Sequence, residues 1–220
     1  MAQPQGPITR DADRSREAIL EAATDVFAQL GYNQTTLQLV GERSGLSRGT
    51  PGYFFGSKEA LYRAVLDRAF GEARDALRSA DEEIHSAGLD QEEGFRRSIG
   101  AYIDFLAAHP RFVSLVQWEA LGHGGALREH PRHLELALDS LAEVGQYFAE
   151  DLPAVFDTTQ LLLSIMGLCW FPIAHRDTLG AVLGVDTHDR EFLEARKRHV
   201  ADLVLAGIKG DGRLRDGSRK

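Results

Sequence analysis

The feature that most constrains the fold of this 220-residue chain is the spacing of its apolar residues. They recur every three to four positions, as at Ile19, Val26 and Phe27, and so share one face of an α-helix. No stretch alternates between apolar and polar residues and is bounded by hairpin signals. The pattern therefore predicts an all-α protein, with helices from about residue 13 to 31, 36 to 45, 47 onward, 57 onward, 91–108, 111–121, 132–150, 155–174 and 189–208.

Small polar residues and glycines predict where the N-terminal helices begin and end. Asp13 or Ser15 can cap the first helix, and Gly31 stands where a C-terminal glycine is expected. Hydroxyl caps for the next three helices are predicted at Thr36, Ser47 and Ser57.

The formal net charge is −8, which taken alone argues against a nucleic-acid partner. The charge is unevenly distributed, however. Residues 1–63 contain seven basic and seven acidic side chains, so the rest of the chain carries the whole excess. Within 36–63, four basic residues oppose two acidic ones. This asymmetry indicates two different tasks in one chain.

Composition narrows the class of protein further. The hydrophobic fraction of 43% is that of a globular chain, and Cys169 is the only cysteine, which excludes a disulfide framework. We see no secretory signal, and the apolar run from 161 to 174 is shorter than the ~20 residues of a membrane span. These features predict a cytoplasmic protein.

The segment from Thr36 onward has the layout of a helix-turn-helix, in which the second helix enters the major groove of DNA. A helix over 36–44 is followed by the turn Gly45-Leu46 and by a new helix from Ser47. Polar side chains suited to bases and phosphates lie along it. They are Thr36, Arg48, Thr50, Tyr53 and Lys58. From spacing alone, an ordinary pair of helices with solvated charges is an equally good interpretation.

The stretch from Thr35 to Leu66 resembles the N-terminal domain of the tetracycline-repressor (TetR) family of bacterial transcriptional regulators. The matching residues are Gly31, Thr35-Thr36, Ser44-Gly45-Leu46-Ser47, Gly49-Thr50, Tyr53-Phe54-Phe55 and Ser57-Lys58-Glu59. The resemblance covers about residues 14–66. It implies a homodimer that binds double-stranded DNA at a palindromic operator, and a C-terminal domain whose small-molecule ligand releases the DNA.

By position, the resemblance implies DNA contacts at Thr36, Arg48, Gly49, Thr50, Tyr53 and Lys58, with Arg14 a further phosphate contact. We expect Arg48 and Thr50 to read bases, and Thr36, Tyr53 and Lys58 to bind phosphates. The chain departs from the family pattern at Pro51-Gly52, where an apolar and an aromatic residue are usual. Proline costs up to ~3 kcal/mol inside a helix and less in its first turn. We therefore hypothesise a short recognition helix that orders fully only on DNA and lacks an aromatic phosphate contact at position 52.

The predicted fold is an N-terminal three-helix helix-turn-helix domain followed by a helical bundle for ligand binding and dimerisation. The predicted ranges are a flexible arm at 1–12, the DNA-binding domain at 13–57, the bundle at 58–208 and a flexible tail at 209–220. We expect the dimer interface near 158–174 and 189–208, because a helix that is apolar on all sides requires burial. Burial inside one subunit remains the alternative.

Aromatic and sulfur-containing side chains of the second domain are candidates for an effector pocket that takes a small apolar or aromatic molecule. They are Tyr102, Phe105, Trp118, Tyr147, Met166 and Trp170. Each of them taken singly is more often a core residue. Because Asp104 and Glu119 carry carboxylates, a cationic ligand is the alternative.

Two rival signals are weaker. Residues 45–49 fit the G-x-S-x-G pattern of hydrolases, but that motif requires a preceding strand, so we predict no enzyme. A histidine and glutamate cluster at 119–135 could bind a metal, yet Gly124, Gly125 and Pro131 interrupt it, which favours a solvated loop. We expect no metal or cofactor. The alternative function is a dimeric helical ligand-binding or adaptor protein with a vestigial helix-turn-helix.

Overall fold

A computed structural model describes residues 7–122, 125–128, 135, 139, 142 and 157–209. Within these residues the chain is helical and contains no strand, as predicted. The elements are α1 (Pro7–Gln34), α2 (Leu37–Arg43), α3 (Thr50–Phe55), α4 (Lys58–Ser86), α5 (Gln91–Ala108), α6 (Pro110–Leu121), α7 (Gly125–Arg128), α8 (Thr158–Ala174), a π-helical turn (Arg176–Gly180), α9 (Ala181–Leu183) and α10 (Arg190–Lys209).

The chain divides into two compact units. Unit 1 is Met1–Glu72 with Pro110–His133, and unit 2 is Ala73–His109 with Leu134–Lys220. The division therefore falls inside α4, and α6 groups with the N-terminal helices. The functional boundary between 57 and 58 stays a prediction.

Unit 1 is built around the apolar face of α1, which packs against α2, α3 and α6. Ile19, Ala23 and Phe27 on α1 are fully buried, as are Val40 on α2 and Leu61 on α4. These residues follow the helical spacing of the sequence, so burying them fixes which face of each helix points inward.

The ends of the helices test the predicted caps. Thr36 caps α2 by accepting the Leu39 amide at 3.2 Å, and Ser57 accepts the Ala60 amide at 3.0 Å, both as predicted. The caps proposed for α1 are wrong, because α1 begins at Pro7 and contains Asp13 and Ser15 in its interior. Part of the predicted arm is therefore helical.

Gly31 turns the chain at the end of α1. Its φ of 71° and ψ of 177° lie in a region that is essentially restricted to glycine. The indole of Trp118 packs directly on it, since an added β-carbon would lie 2.8 Å from that ring. Gly31 therefore provides both the turn and the space for the tryptophan.

Unit 2 contains a core in which α5, α8 and α10 pack together. Ile103 on α5, Cys169 on α8 and Val200 on α10 are completely buried there. Burial raises the pKa of the Cys169 thiol to about 12, so the thiol stays protonated. The helices at 91–108, 111–121, 155–174 and 189–208 are confirmed, whereas the predicted helix 132–150 lies mostly outside the described residues.

A proline in α8 has a partner on another helix. Pro172 has no amide hydrogen, so the carbonyl of Leu168, four residues earlier, lacks its usual intrahelical donor. Arg196 on α10 supplies the missing donors, because its Nε donates to the Leu168 oxygen at 3.1 Å and its Nη2 donates to the same atom. The guanidinium thus ties α10 to the interrupted turn of α8.

Replacing Gly31 with alanine should lower the free energy of unfolding by about 1–3 kcal/mol, because the backbone conformation becomes strained and the new methyl group overlaps Trp118. Chemical denaturation measures this change. The matched control is Gly100→Ala on α5, where the nearest atom to an added β-carbon is 3.7 Å away. Equal stability of both variants would contradict the account.

A double-mutant cycle tests the Pro172–Arg196 arrangement. Arg196→Met should lower the free energy of unfolding by about 1–3 kcal/mol, because it leaves the Leu168 carbonyl without a donor. In the Pro172→Ala background the same change should cost less, since a backbone amide then reaches that carbonyl. Arg198→Met, at an exposed position of α10, is the control. Purely additive effects would rule the arrangement out.

Candidate nucleic-acid interface

The turn between α2 and α3 brings the two helices into close contact. Gly45 adopts a left-handed conformation with φ 72°, and the Leu46 amide donates to the Gly41 carbonyl at 3.1 Å. A β-carbon added at Gly41 would lie 2.9 Å from both the Arg48 Cα and the Ser47 oxygen. A side chain at Gly41 would therefore push the turn away from α2.

The start of α3 differs from the prediction in one respect. Gly49, not Ser47, is the N-cap residue, and the Ser47 carbonyl accepts the Thr50 amide at 2.9 Å. The hydroxyl groups of Ser47 and Thr50 share a hydrogen bond of 2.7 Å. Ser47 thus orients Thr50 through its side chain instead of capping the helix.

Pro51 lies in the first turn of α3, where its missing amide disrupts no helical hydrogen bond. The heavy penalty of an interior proline therefore does not apply. The helix has only six residues, as the predicted short helix requires. Its role as a recognition helix and its further ordering on DNA stay predictions.

Two of the predicted contact residues project into solvent. Tyr53 is 85% exposed, and its ring meets the edge of Phe54 at 5.4 Å between centroids. The Arg48 side chain is 72% exposed and forms an ion pair of 2.7 Å with Glu42 on α2. Such an exposed pair contributes about 0–1 kcal/mol, so Arg48 can leave Glu42 for another partner at little cost.

Lys58 is more constrained than the sequence indicated. Its ammonium donates to the carbonyls of Tyr32 at 2.9 Å and Thr35 at 3.0 Å, and it lies 4.3 Å from the centre of the Tyr32 ring. Two of its three protons therefore join the first turn of α4 to the end of α1. One proton remains for an outside acceptor such as a phosphate.

Two arginines of α1, Arg14 and Arg16, are further basic residues of unit 1. Arg16 lies over the ring of Phe55, the last residue of α3, at 4.9 Å. Sequence reasoning missed this contact because its two residues are far apart in the chain. Arg14, the further phosphate candidate, forms an exposed ion pair with Asp11.

The predicted effector residues do not all belong to one unit. Tyr102 and Phe105 on α5 belong to unit 2 with Met166 and Trp170 on α8, whereas Trp118 belongs to unit 1. The Trp118 indole donates to the Ala28 carbonyl at 3.0 Å. Tyr147 lies outside the described residues.

Burial also affects the groups near Tyr102. Burial raises the pKa of the Tyr102 hydroxyl, and the nearby Cys169 adds to the effect. Phe105 is buried and stacks on His109 at 4.2 Å between ring centroids. Asp104, a candidate for a cationic ligand, already pairs with Lys197 at 2.7 Å.

The rival signals find little support in the described part of the chain. The G-x-S-x-G segment follows helix α2, and no strand precedes it there. Three histidines belong to the candidate metal cluster, and all of them lie outside the described residues: His123, His130 and His133. The residues that the structure does describe contain no group of three histidine, cysteine, aspartate or glutamate side chains that could hold a metal ion. No helix among them could cross a membrane.

Comparisons with known proteins agree with this geometry. Residues 19–65 match the family model described as "Bacterial regulatory proteins, tetR family", and residues 92–204 match "Tetracyclin repressor-like, C-terminal domain". The transcriptional regulator RutR of Escherichia coli is 44% identical over 206 residues, which cover 93% of this chain and 95% of that protein. The transcriptional repressor NicS of Pseudomonas putida is 27% identical over 213 residues, or 93% and 97% of the two chains.

Solved structures show the same fold. The fatty acid degradation regulator FadR from Bacillus halodurans superimposes with a TM-score of 0.66 at 21% identity, covering 94% of this chain and 99% of that one. A TetR-family regulator from Mesorhizobium loti also gives 0.66, at 20% identity and with 91% and 98% coverage.

Replacing Lys58 with methionine should lower the free energy of unfolding by about 1.5–3 kcal/mol, because two charge-assisted hydrogen bonds to α1 are lost. Thermal or chemical denaturation measures the change. Arg63→Met is the control on the same helix, since the Arg63 side chain is 59% exposed and its ion pair with Glu59 contributes little to stability. If Lys58→Met is as stable as Arg63→Met, Lys58 does not hold the two helices together.

Proposed function

This chain belongs to the TetR family of bacterial transcriptional regulators, and from that premise we propose that it is a ligand-responsive repressor. The repressor binds a palindromic operator as a homodimer, and a small apolar or aromatic molecule releases it. The functional domains are those proposed from the sequence, 13–57 for DNA binding and 58–208 for ligand binding and dimerisation.

The observation that carries the proposal is the exposed surface of the α2–α3 turn. Arg48 and Tyr53 project into solvent, while Gly41 and Ser47 hold the turn and the start of α3 in place. A short helix held in this way against a supporting helix fits the major groove.

The proposed roles follow from the position of each group. Arg48 and Thr50, at the start of α3, read base edges, and Gly49 allows the backbone to come close to DNA. Thr36, at the exposed start of α2, and Tyr53 bind phosphates. Lys58 contributes its remaining proton to a phosphate while it holds α4 to α1.

The proposed dimer interface is the apolar surface of α8 and α10. Leu163 is 56% exposed, and Phe171 and Leu203 are exposed as well. Exposed apolar patches of this kind typically mark an interface with another protein. A second copy of the chain is the expected partner, because a palindromic operator requires twofold symmetry.

The proposed effector site lies in unit 2, near Tyr102, Phe105, Met166 and Trp170, together with the undescribed Tyr147. A ligand there acts by population shift, since it favours a pose of the two subunits whose recognition helices do not match adjacent half-sites. Trp118, the remaining candidate, belongs to unit 1, and its part in effector binding stays a prediction.

DNA-binding measurements on Arg48 and Tyr53 variants test the proposed roles. Arg48→Ala should reduce discrimination at one base pair by about 1–3 kcal/mol, because the guanidinium no longer reaches a base edge. Tyr53→Phe should weaken binding by the same factor for every DNA sequence, because it removes a contact to a phosphate and not to a base. Fluorescence anisotropy with the DNA upstream of the protein's own gene, and with a randomised duplex, measures both.

The control is Glu42→Gln, which releases Arg48 from its ion pair and should bind DNA no more weakly than the wild type. Equal losses on specific and randomised DNA for both test variants would contradict the division of roles. No binding at low salt by the wild-type chain would instead favour the ligand-binding or adaptor alternative.

A further inference from the structure

A cleft in unit 1 opens between the end of α1, the first turns of α4, the end of α6 and the start of α7. Its volume of about 490 Å³ falls within the range of small-molecule sites, about 300–1,000 Å³. Tyr32, Tyr62 and Trp118 form its aromatic walls. The rings of Tyr32 and Tyr62 are 5.0 Å apart and tilted by 51°. The cleft is thus lined by aromatic rings.

A buried carboxylate belongs to the same wall. Glu119 is only 7% exposed, and its Oε1 accepts the Tyr62 hydroxyl at 2.7 Å. Its Oε2 accepts the amides of Ala126 at 3.1 Å and Leu127 at 3.2 Å. Burial and this hydrogen bond raise the pKa of the Tyr62 hydroxyl, so Tyr62 remains a donor. A carboxylate accepts about four hydrogen bonds, so Oε1 keeps one free position with respect to the described residues.

No basic side chain in the described part of the chain balances the charge of Glu119. Among the residues that the structure describes, no lysine, arginine or histidine forms an ion pair with it. The other charged groups of the cleft are Glu59 and Arg63, and these neutralise each other at 2.9 Å. A carboxylate buried in this way pairs favourably with a cation.

We propose that this cleft binds an organic cation with an aromatic body. The positive group pairs with Glu119, and the indole of Trp118 receives the aromatic body by stacking and cation–π contact. The site lies in the unit that carries α2 and α3. It is separate from the effector residues proposed in unit 2.

Occupancy of the cleft would act on groups that hold unit 1 together. Trp118 contacts Gly31 and Ala28 on α1, and Glu119 binds the start of α7. A change in DNA affinity when the cation binds rests on the proposed function. Binding of the cation to the cleft does not depend on that function.

The experiment uses the full chain with Trp170→Phe, which leaves Trp118 as its only tryptophan. The probes are benzamidinium chloride, benzamide and sodium benzoate, which share one ring and differ in charge. Benzamidinium should change the Trp118 emission saturably in the millimolar range. Benzamide should bind at least about tenfold more weakly than benzamidinium, and benzoate should not bind.

Adding Glu119→Gln should abolish the preference for benzamidinium over benzamide, and adding Glu194→Gln on α10 should leave it intact. If the Glu119 variant does not fold, the comparison of the three probes still decides. Equal affinity for all three, or no saturable response to benzamidinium, would overturn the proposal. Unchanged DNA affinity at saturating benzamidinium would overturn only the consequence for regulation.

Discussion

The position of the recognition helix depends on how the chain turns at the end of α1. Gly31 makes that turn in a conformation open only to glycine, and the Lys58 ammonium then joins the carbonyls beyond it to the first turn of α4. Helices α2 and α3 lie between these two points in the sequence. The position of α2 and α3 against α1 is therefore fixed at both ends of the segment. Between these ends, packing around the buried side chains of Phe27 and Val40 holds the helices in place.

Backbone carbonyls at irregular points of the helices are satisfied by long side chains from elsewhere. Lys58 does this beyond the kink in α1, Trp118 bonds the Ala28 carbonyl, and Arg196 bonds the carbonyl left open by Pro172. A buried polar group without a partner costs about 1–3 kcal/mol. These long-range bonds are thus the condition under which the kinked helices can be buried.

Much of this could be predicted from the sequence, because helical spacing and caps are local properties. The all-α class, the caps at Thr36 and Ser57 and the glycine turn at Gly45 depend only on neighbouring residues. The start of α1 could not be predicted, since polar residues 7–15 have no apolar stripe. The partners of Lys58, Trp118 and Glu119 could not be predicted either, because each depends on packing between distant segments. The G-x-S-x-G pattern misleads for the same reason, because the sequence matches locally while the strand that the hydrolase motif requires is not present before it in the described residues.

The ion pair between Arg48 and Glu42 has a consequence for how the protein responds to ionic strength. In the proposed complex, Arg48 exchanges the Glu42 carboxylate for the edge of a base. Added salt screens the ion pair with Glu42 as well as the attraction to the surrounding phosphates, so the net contribution of Arg48 would change less with salt than that of an arginine which starts out fully hydrated. In that complex Glu42 would subtract the same small amount from the affinity for matched and mismatched sites. It would therefore weaken binding slightly as an internal competitor without altering the choice of sequence.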